Sequence, residues 1–153
     1  MAIQLPKQFI QQTLIKEYED IIIAHGHAYL GFALIAIGIE FLGKCVDTSL
    51  TAWHPESSKH FDYALNNIPQ LKSYSNKDLR DKLRNGMAHS LVPKVGLDLS
   101  ERVHQTTHLG LDSQGYLVLN VEDFFEDFKK ACRFVIETRF PDNDKMNKGF
   151  IKH

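Results

Sequence analysis

The chain has 153 residues, 43% of them hydrophobic and 24% charged, with a formal net charge of −1. This length fits one domain with a substantial core, and we expect a single domain over residues 1–153 in which residues 142–153 form a loose tail. The composition is typical of a soluble globular protein and excludes a disordered one. The near-neutral charge excludes a protein that coats nucleic acid electrostatically, because each phosphate requires a Lys or Arg, but a local site is compatible with it.

Three features predict a cytoplasmic protein without a membrane anchor. Residues 1–6 lack the charged region and cleavage site of an export signal. Cys45 and Cys132 lie in apolar helical contexts, which favours free buried thiols in a reducing compartment. Residues 21–39 lack Asp, Glu, Lys and Arg and approach the length of a membrane span, but two histidines within them favour a helix buried in the core or in a subunit interface.

Hydrophobic residues recur at helical spacing in four segments of the first part of the chain: Pro6 to about His25, His27 to about Trp53, Lys59 to about Ile68, and Leu79 to about Leu91. Pro55 ends the second helix, because the residue before a proline is driven out of the helical region. Asn76 is the expected cap of the fourth helix. Three glycines in the second helix, Gly31, Gly38 and Gly43, would let another backbone approach it closely.

After Pro93 the hydrophobic pattern changes from helical to alternating. Residues 103–111 and 116–121 are predicted strands, and the turn-forming residues 112–115 between them predict a β-hairpin. A last helix is expected to begin within residues 120–123 and to run to about Arg139. The predicted fold class is therefore mainly α, an up-and-down bundle of about five helices with a small β-hairpin inserted before the C-terminal helix.

The fourth helix carries the most reactive side chains. Its Leu and Met residues repeat every four positions and are expected to face the core. Asp81, Asn85 and His89 form a second row with the same spacing, in which Asn85 would hydrogen-bond the imidazole and fix its tautomer. Arg84 precedes His89 by five residues, about 140° around an ideal helix, so the two flank an outward groove. Gly86 predicts close approach by another backbone or by substrate.

The pattern Arg84-Asn85-x-x-x-His89 on a late helix of a small helical domain resembles the HEPN superfamily, named for its nucleotide-binding domains in higher eukaryotes and prokaryotes. A second family feature, a Glu followed four residues later by a basic residue on an earlier helix, resembles Glu40 and Lys44. Many HEPN members are metal-independent endoribonucleases. The resemblance extends over most of the chain and implies that activity here, with no cofactor and no metal.

RNA can be cut without a metal when its own 2′-hydroxyl attacks the neighbouring phosphate. The imidazole of His89 is suited to moving the proton, since imidazoles act as base or acid near neutrality. Arg84 offers a planar fork of donors to the phosphate oxygens, and Asn85 would orient the ring or contact the substrate. These three are the predicted catalytic residues, and the predicted supporting residues are Asp81, Glu40 and Lys44.

Positive charge is concentrated around the same helix. Six basic and two acidic residues lie between Lys72 and Lys94. Lys77, Arg80 and Lys82 are the predicted RNA-binding residues, and a solvated helix face is the alternative interpretation. Elsewhere, Tyr74 and Trp53 could stack on a base but are more often core or rim aromatic residues.

Two histidine pairs suggest a different chemistry. His25 and His27 are two residues apart, and His104 and His108 are four apart, spacings that could ligate a metal. No Cys or acidic ligand is grouped with either pair. We therefore expect no metal site.

The predicted partners are RNA, a second copy of the chain and a cognate antitoxin protein, because the resemblance implies a toxin or defence effector. Since Arg84 and His89 point in different directions, one chain presents an incomplete pocket, and a two-fold axis would bring Arg84 of one subunit toward His89 of the other. HEPN relatives commonly form such homodimers. The alternative function, from a different class, is a catalytically silent helical dimer that binds a nucleotide, RNA or a protein partner.

Overall fold

The computed structural model describes residues 5–48 and 58–141. Its helices are α1 over residues 6–24, α2 at Ala28–Val46, α3 at Ser58–Asn67, α4 over residues 79–90 and α5 at Val121–Arg139, with a short 3₁₀ helix at Pro69–Tyr74. Two strands complete the described part of the chain, β1 at Leu97–Ser100 and β2 at Leu117–Asn120. The fold is mainly α, as predicted.

Two of the helices contain turns of the wide π type. These turns lie at Ile10–Glu17 and Asp20–Ala24 in α1 and at Arg80–Asn85 in α4, where the α-helical segment Gly86–Ser90 follows. Such turns are rare and frequently occur at functional sites. Because both helices contain them, the backbone geometry alone does not single out α4.

Stacked aromatic rings from three helices form the centre of the core. Phe32 of α2 lies against Phe124 of α5, with ring centroids 6.2 Å apart, and Phe128 of α5 stacks on Tyr18 of α1 at 5.9 Å. All four residues are buried. The rings lie on three helices that the sequence predicted to be hydrophobic, and their burial accounts for the assembly of α1, α2 and α5.

The glycines of α2 allow its neighbours to come close. A Cβ atom at Gly43 would lie 1.9 Å from the carbonyl oxygen of His60, so the backbones of α2 and α3 touch there. This confirms the predicted close backbone approach at Gly43. At Gly31 and Gly38 the nearest atoms belong to side chains, among them the ring of Phe128 at 2.5 Å from the Gly38 position.

The turn of the predicted β-hairpin is confirmed. The Asp112 carboxylate accepts hydrogen bonds from the backbone N–H groups of Gln114 and Tyr116, at 2.9 and 2.8 Å. The chain reverses there, and Leu111 forms an antiparallel bridge with Leu117. Asp at the start of such a turn satisfies the backbone donors that the reversal leaves without partners.

The first predicted strand of that hairpin is wrong. Residues 103–108 form no strand, and β2 instead pairs in parallel with β1, in a register that sets Leu97 beside Leu117. The physical reason is burial, since Leu97 is 8% exposed whereas Val103 is 80% exposed. The mostly polar residues 103–108 have little hydrophobic surface to bury, so the more apolar β1 takes the place beside β2.

The second helix is shorter than predicted. It ends at Val46 rather than near Trp53, because Asp47 takes extended backbone angles, φ −74° and ψ 110°. The expected terminator Pro55 and Trp53 itself lie outside the described residues. The predicted loose tail over residues 142–153 also lies outside them.

The start of α4 differs from the prediction, and the start of α5 agrees with it. Asn76 does not cap α4, which begins at Leu79, and both Asn76 and Asp78 take positive φ angles, 63° and 57°. Asn and Asp tolerate this left-handed conformation better than most residues, so the two form a tight turn instead. At α5, the side chain of Asn120 accepts a hydrogen bond from the backbone N–H of Glu122, as a cap does.

Cys45 and Cys132 are free and buried, as predicted. Burial raises the pKa of the Cys45 thiol to about 12 and also raises that of Cys132, so both thiols stay protonated at neutral pH.

Among the described helices, α2 is long and apolar enough to cross a membrane by length and composition, and 50% of that stretch is buried within the fold.

A buried polar network connects the 3₁₀ helix to α5. The Tyr74 hydroxyl donates to the Asp127 carboxylate at 2.6 Å and lies 2.7 Å from Nε2 of His108. The backbone N–H of Asn120 donates to Nδ1 of His108 at 3.0 Å, so Nδ1 carries no proton and the ring is neutral. Burial lowers the pKa of His108, although the carboxylates of Asp123 and Asp127 oppose the shift. Tyr74 is fully buried, which makes it a core residue.

We predict that His108 lowers the stability of the folded chain in mild acid. Its pKa in the folded chain lies below the ordinary 6.5, so the unfolded chain takes up a proton near that pH that the folded chain does not. The free energy of unfolding should therefore decrease as the pH falls below about 6.5, by up to about 1.4 kcal/mol per pH unit. Urea unfolding of wild type and His108→Gln from about pH 8 to 5 would measure the difference.

The control for this experiment is His104→Gln, since the His104 side chain is 72% exposed. This variant should keep the pH dependence of the wild type. If His108→Gln lost stability with pH as steeply as the wild type, the assignment of the effect to His108 would be wrong.

Candidate active site

Helix α4 lies antiparallel against α2. Arg84 contacts Glu40 in the second half of α2, and the carbonyl oxygen of Leu91, just after α4, accepts a hydrogen bond from the hydroxyl of Tyr29 at the start of α2. The Leu and Met residues predicted to face the core from α4 are buried, which confirms that row. The opposite side of α4 is therefore the side available to a ligand.

Arg84 and Glu40 form an ion pair with two hydrogen bonds. Nε of Arg84 donates to Oε2 of Glu40 at 2.8 Å, and Nη2 donates to Oε1 at 3.3 Å. The two side chains are 18% and 10% exposed. Glu40 is the only carboxylate of the apolar helix α2, and a carboxylate at such a position requires a counter-charge. The structure thus brings together Arg84 of the Arg-Asn-x-x-x-His pattern and Glu40 of the earlier helix.

The guanidinium of Arg84 keeps two donors for a ligand. Of its five N–H groups, two point to Glu40, and one on Nη1 donates to the side-chain oxygen of Asn85 at 3.0 Å. One N–H on Nη1 and one on Nη2 are left without a partner among the described residues. Such a pair of donors suits the oxygens of a phosphate.

The predicted hydrogen bond from Asn85 to His89 is wrong. The side-chain oxygen of Asn85 accepts from Arg84 instead, and His89 is exposed, with no hydrogen bond to its ring from the described residues. The interval from Asn85 to His89 is α-helical, over Gly86–Ser90, so the helical spacing is not the reason. The neighbouring guanidinium is a charged donor, and hydrogen bonds from charged donors are the stronger ones, so the Asn85 oxygen pairs with Arg84.

Gly86 is where the chain folds back on itself. A Cβ atom there would lie 2.6 Å from the carbonyl oxygen of Val92 and 3.0 Å from the Cα of Pro93. The predicted close backbone approach at Gly86 is therefore confirmed, and the approaching backbone is the chain's own. Because residues 92–94 cover this face, Gly86 does not offer a path for a second α4 helix.

Two of the charged residues near α4 are paired with partners of opposite charge. Arg80 lies 3.1 Å from the carboxylate of Asp62 in α3, and Asp81 pairs with Lys94. All four side chains are about half exposed, so these pairs contribute little to stability. They do reduce the local positive charge that the sequence predicted, and they separate Asp81 from the predicted row with Asn85.

The remaining predicted basic residues lie in different environments. Lys77 is exposed, and no ion pair of the described residues includes it. The Lys82 side chain runs over Gly96, with Nζ 3.1 Å from the position of a Cβ there. Lys44 is half-buried on α2, one turn after Glu40. Of the three predicted RNA-binding residues, Lys77 is thus the most exposed.

The histidine pairs are not arranged as metal sites. The rings of His25 and His27 are stacked, 6.3 Å apart, in the exposed turn between α1 and α2. His104 is exposed, whereas His108 is part of the buried network. Within residues 5–48 and 58–141, no three His, Cys, Asp or Glu side chains converge as metal ligands would.

Sequence reasoning missed two surface cavities. One, of about 460 Å³, lies at the start of α4, between Asp62, Asn66 and Asp78. The other, of about 200 Å³, lies between the start of α2 and the segment after β1, and Glu101 is among its lining residues. A single Glu in a loop gives no sequence signal that distinguishes it from a solvated surface charge. The second cavity could therefore be found only from the folded structure.

Comparison with models of protein families, with curated proteins and with solved structures finds no match. The HEPN assignment therefore stays a prediction, made from the Arg84-Asn85-x-x-x-His89 pattern and from Glu40 with Lys44.

We predict that Glu40→Gln lowers the free energy of unfolding by about 2 kcal/mol. The change leaves the Arg84 cation without its counter-charge in a largely buried position. Breaking a fully buried pair in this way costs about 3–5 kcal/mol, and partial exposure reduces that cost. A double-mutant cycle with Arg84→Gln, measured by urea unfolding, should give a coupling energy of about 1 kcal/mol or more.

Glu17→Gln makes the same chemical change at an exposed position of α1 and serves as the matched control. Its stability should stay within about 0.5 kcal/mol of the wild type. A Glu40→Gln variant as stable as this control would show that the ion pair does not hold α4 to α2.

Proposed function

We propose that this chain is a metal-independent endoribonuclease of HEPN type, an up-and-down helical bundle that cleaves RNA in the cytoplasm as a toxin or defence effector. The observation that carries the proposal is the ion pair between Arg84 and Glu40. These residues belong to two separate features of the resemblance and are 44 residues apart in the chain. A chance match to either feature would not require the two to touch, so their contact supports the resemblance independently.

The proposed reaction uses the 2′-hydroxyl of the RNA as nucleophile. The imidazole of His89 takes the proton from this hydroxyl, and the 2′-oxygen attacks the adjacent phosphorus. The bond from phosphorus to the 5′-oxygen of the next nucleotide breaks, and that oxygen takes up a proton. The products are a 2′,3′-cyclic phosphate and a 5′-hydroxyl. The two remaining donors of Arg84 would bind the non-bridging oxygens, on which negative charge increases in the transition state.

The proposed active unit is a homodimer. One imidazole cannot be base and acid in the same displacement, and a two-fold axis would supply a second His89. On α2, Leu30 and Ile37 are 51% and 58% exposed, and after α4, Leu91 and Val95 are 68% and 81% exposed. Exposed hydrophobic residues grouped in this way favour a protein interface along α2 and the end of α4. Sedimentation as a monomer at micromolar concentration would contradict it.

A second candidate function is the catalytically silent dimer that binds a nucleotide, RNA or a protein such as an antitoxin. The exposed ring of His89, which no described residue orients, favours this alternative. Fold and activity are separable, so the same ion pair could serve a binding module. RNA binding without cleavage by the wild type would be its signature.

We predict that the purified chain cleaves RNA in the presence of EDTA and that His89→Ala reduces the rate by about 10²–10⁴-fold, the usual contribution of a general base. DNA should not be cut, because it lacks the 2′-hydroxyl. The fragments should carry 2′,3′-cyclic phosphate and 5′-hydroxyl ends, which can be identified by phosphatase and kinase treatment.

The control is His25→Ala, which removes another exposed imidazole and should leave the rate unchanged. Fragments with 5′-phosphate ends would mean that water attacked the phosphorus, and the roles given to Arg84 and His89 would then be wrong. Full activity in His89→Ala would have the same consequence.

A further inference from the structure

The cavity of about 200 Å³ beside α2 has both an aromatic wall and a carboxylate. Tyr29 and Phe32 line it from α2, and Leu99 and Glu101 line it from β1 and the following loop. Phe32 is 1% exposed and Tyr29 is 51% exposed, so a buried ring lies at the inner end and an accessible ring at the mouth. Ser100 and His104 also line the cavity. A small pocket with aromatic walls and a few polar groups suits a single nucleobase.

This pocket is adjacent to the candidate active site. The Tyr29 hydroxyl donates to the carbonyl oxygen of Leu91, which follows His89 by two residues. The end of α4 and the mouth of the pocket are therefore joined by a direct hydrogen bond.

The loop that carries Glu101 is fixed at several points. The carbonyl oxygen of Glu101 accepts hydrogen bonds from the backbone N–H groups of His104 and Gln105, at 2.9 and 3.1 Å. The backbone N–H of Arg102 donates to the Glu122 carboxylate at 3.0 Å. A loop held in this way does not have to be ordered when a ligand binds, which lowers the entropic cost of binding.

The carboxylate of Glu101 has unused acceptor capacity. No described residue donates a hydrogen bond to it, and Nε2 of His104, at 3.8 Å, is too far away to do so. The Glu101 side chain is 36% exposed, so it is at the mouth rather than in the core. A base in the pocket would meet two carboxylate oxygens that lack donors.

Guanine is the base whose donors match a carboxylate best. Its Watson–Crick edge carries two adjacent donors, N1–H and the N2 amino group, which can pair with both carboxylate oxygens. Adenine and cytosine each place one amino group next to a ring nitrogen that accepts, and uracil places its single N–H between two carbonyl groups. Those acceptors would face the negative charge of Glu101 and disfavour binding.

We propose that this pocket binds a guanine base, with Glu101 accepting its N1–H and N2–H groups and Tyr29 stacking on its ring. The guanine can belong to a free guanosine nucleotide or to RNA. If the chain cleaves RNA, the pocket also selects the position of the cut, and that part of the inference rests on the proposed function.

The first test is calorimetric titration of the full chain with the 5′-monophosphates of guanosine, adenosine, cytidine and uridine. Guanosine monophosphate should bind about tenfold more tightly than the others, or more, since a bidentate pair discriminates at that level. Glu101→Gln should lose the preference and leave the affinity for adenosine monophosphate unchanged. Glu137→Gln, an exposed carboxylate on α5, is the matched control and should behave as the wild type.

A second variant tests the stacking role separately. Tyr29→Ala should weaken binding of all four nucleotides, because every base has a face that stacks. Equal affinities for the four nucleotides in the wild type, or a guanosine preference that persists in Glu101→Gln, would overturn the proposal. Circular dichroism of each variant establishes that it is folded.

The source of the guanine is tested with His89→Ala, which leaves the pocket unchanged. An RNA oligonucleotide with one guanosine that binds more tightly than guanosine monophosphate assigns the pocket to RNA, and equal affinity assigns it to the free nucleotide. Selective binding of guanosine monophosphate by a chain that cuts no RNA would refute the proposed nuclease and support the pocket. Cleavage without any guanosine preference, in binding or at the cut, would refute the pocket and leave the nuclease.

Discussion

The ion pair between Glu40 and Arg84 is the contact on which the arrangement of α2 and α4 depends. Helix α2 is apolar along most of its length and carries a single carboxylate in a position that is 10% exposed. A charge there is tolerated only with a counter-charge and hydrogen bonds to both of its oxygens. The guanidinium of Arg84 supplies both, and it thereby fixes where α4 lies on the surface of α2.

The same contact orients the guanidinium toward a ligand. Two N–H groups are used on Glu40 and one on Asn85, so the group cannot rotate, and the two free donors have a fixed direction. Donors that are already oriented stabilise developing charge without rearrangement. Glu40 also neutralises much of the Arg84 charge before substrate binds. If the chain binds RNA as proposed, exposed cations such as Lys77 would have to supply the long-range attraction.

The sequence predicted the helices and the core better than the sheet. Hydrophobic spacing located the buried faces of α1, α4 and α5, because the spacing reflects the helical repeat directly. The parallel pairing of β1 with β2 could not be predicted, since Leu97 and Leu117 are distant in the chain and nothing local specifies their register. The alternation of polar and β-branched residues suggested a strand at 103–111. Residues 103–108 do not form it, because they have too little hydrophobic surface to bury.

The residues of the candidate site were named from the sequence, and their contacts were not predicted. Arg84, Asn85, His89 and Glu40 were all named from the sequence, but the partner of Asn85 depended on the competition between two donors, which a residue pattern does not encode. The pocket at Glu101 depended on a loop held by α5 and on the first turn of α2, which only the folded chain brings together.

The most direct test of the account is single-turnover cleavage of RNA by Arg84→Lys. Lysine keeps the positive charge beside Glu40 but cannot reproduce both hydrogen bonds of the guanidinium, so the variant should be less stable than the wild type and still folded, and it lacks the planar fork that binds two phosphate oxygens. If the free donors of Arg84 stabilise the transition state, the rate should fall by about a hundredfold or more. A folded Arg84→Lys variant that cuts RNA at the rate of the wild type would contradict the account.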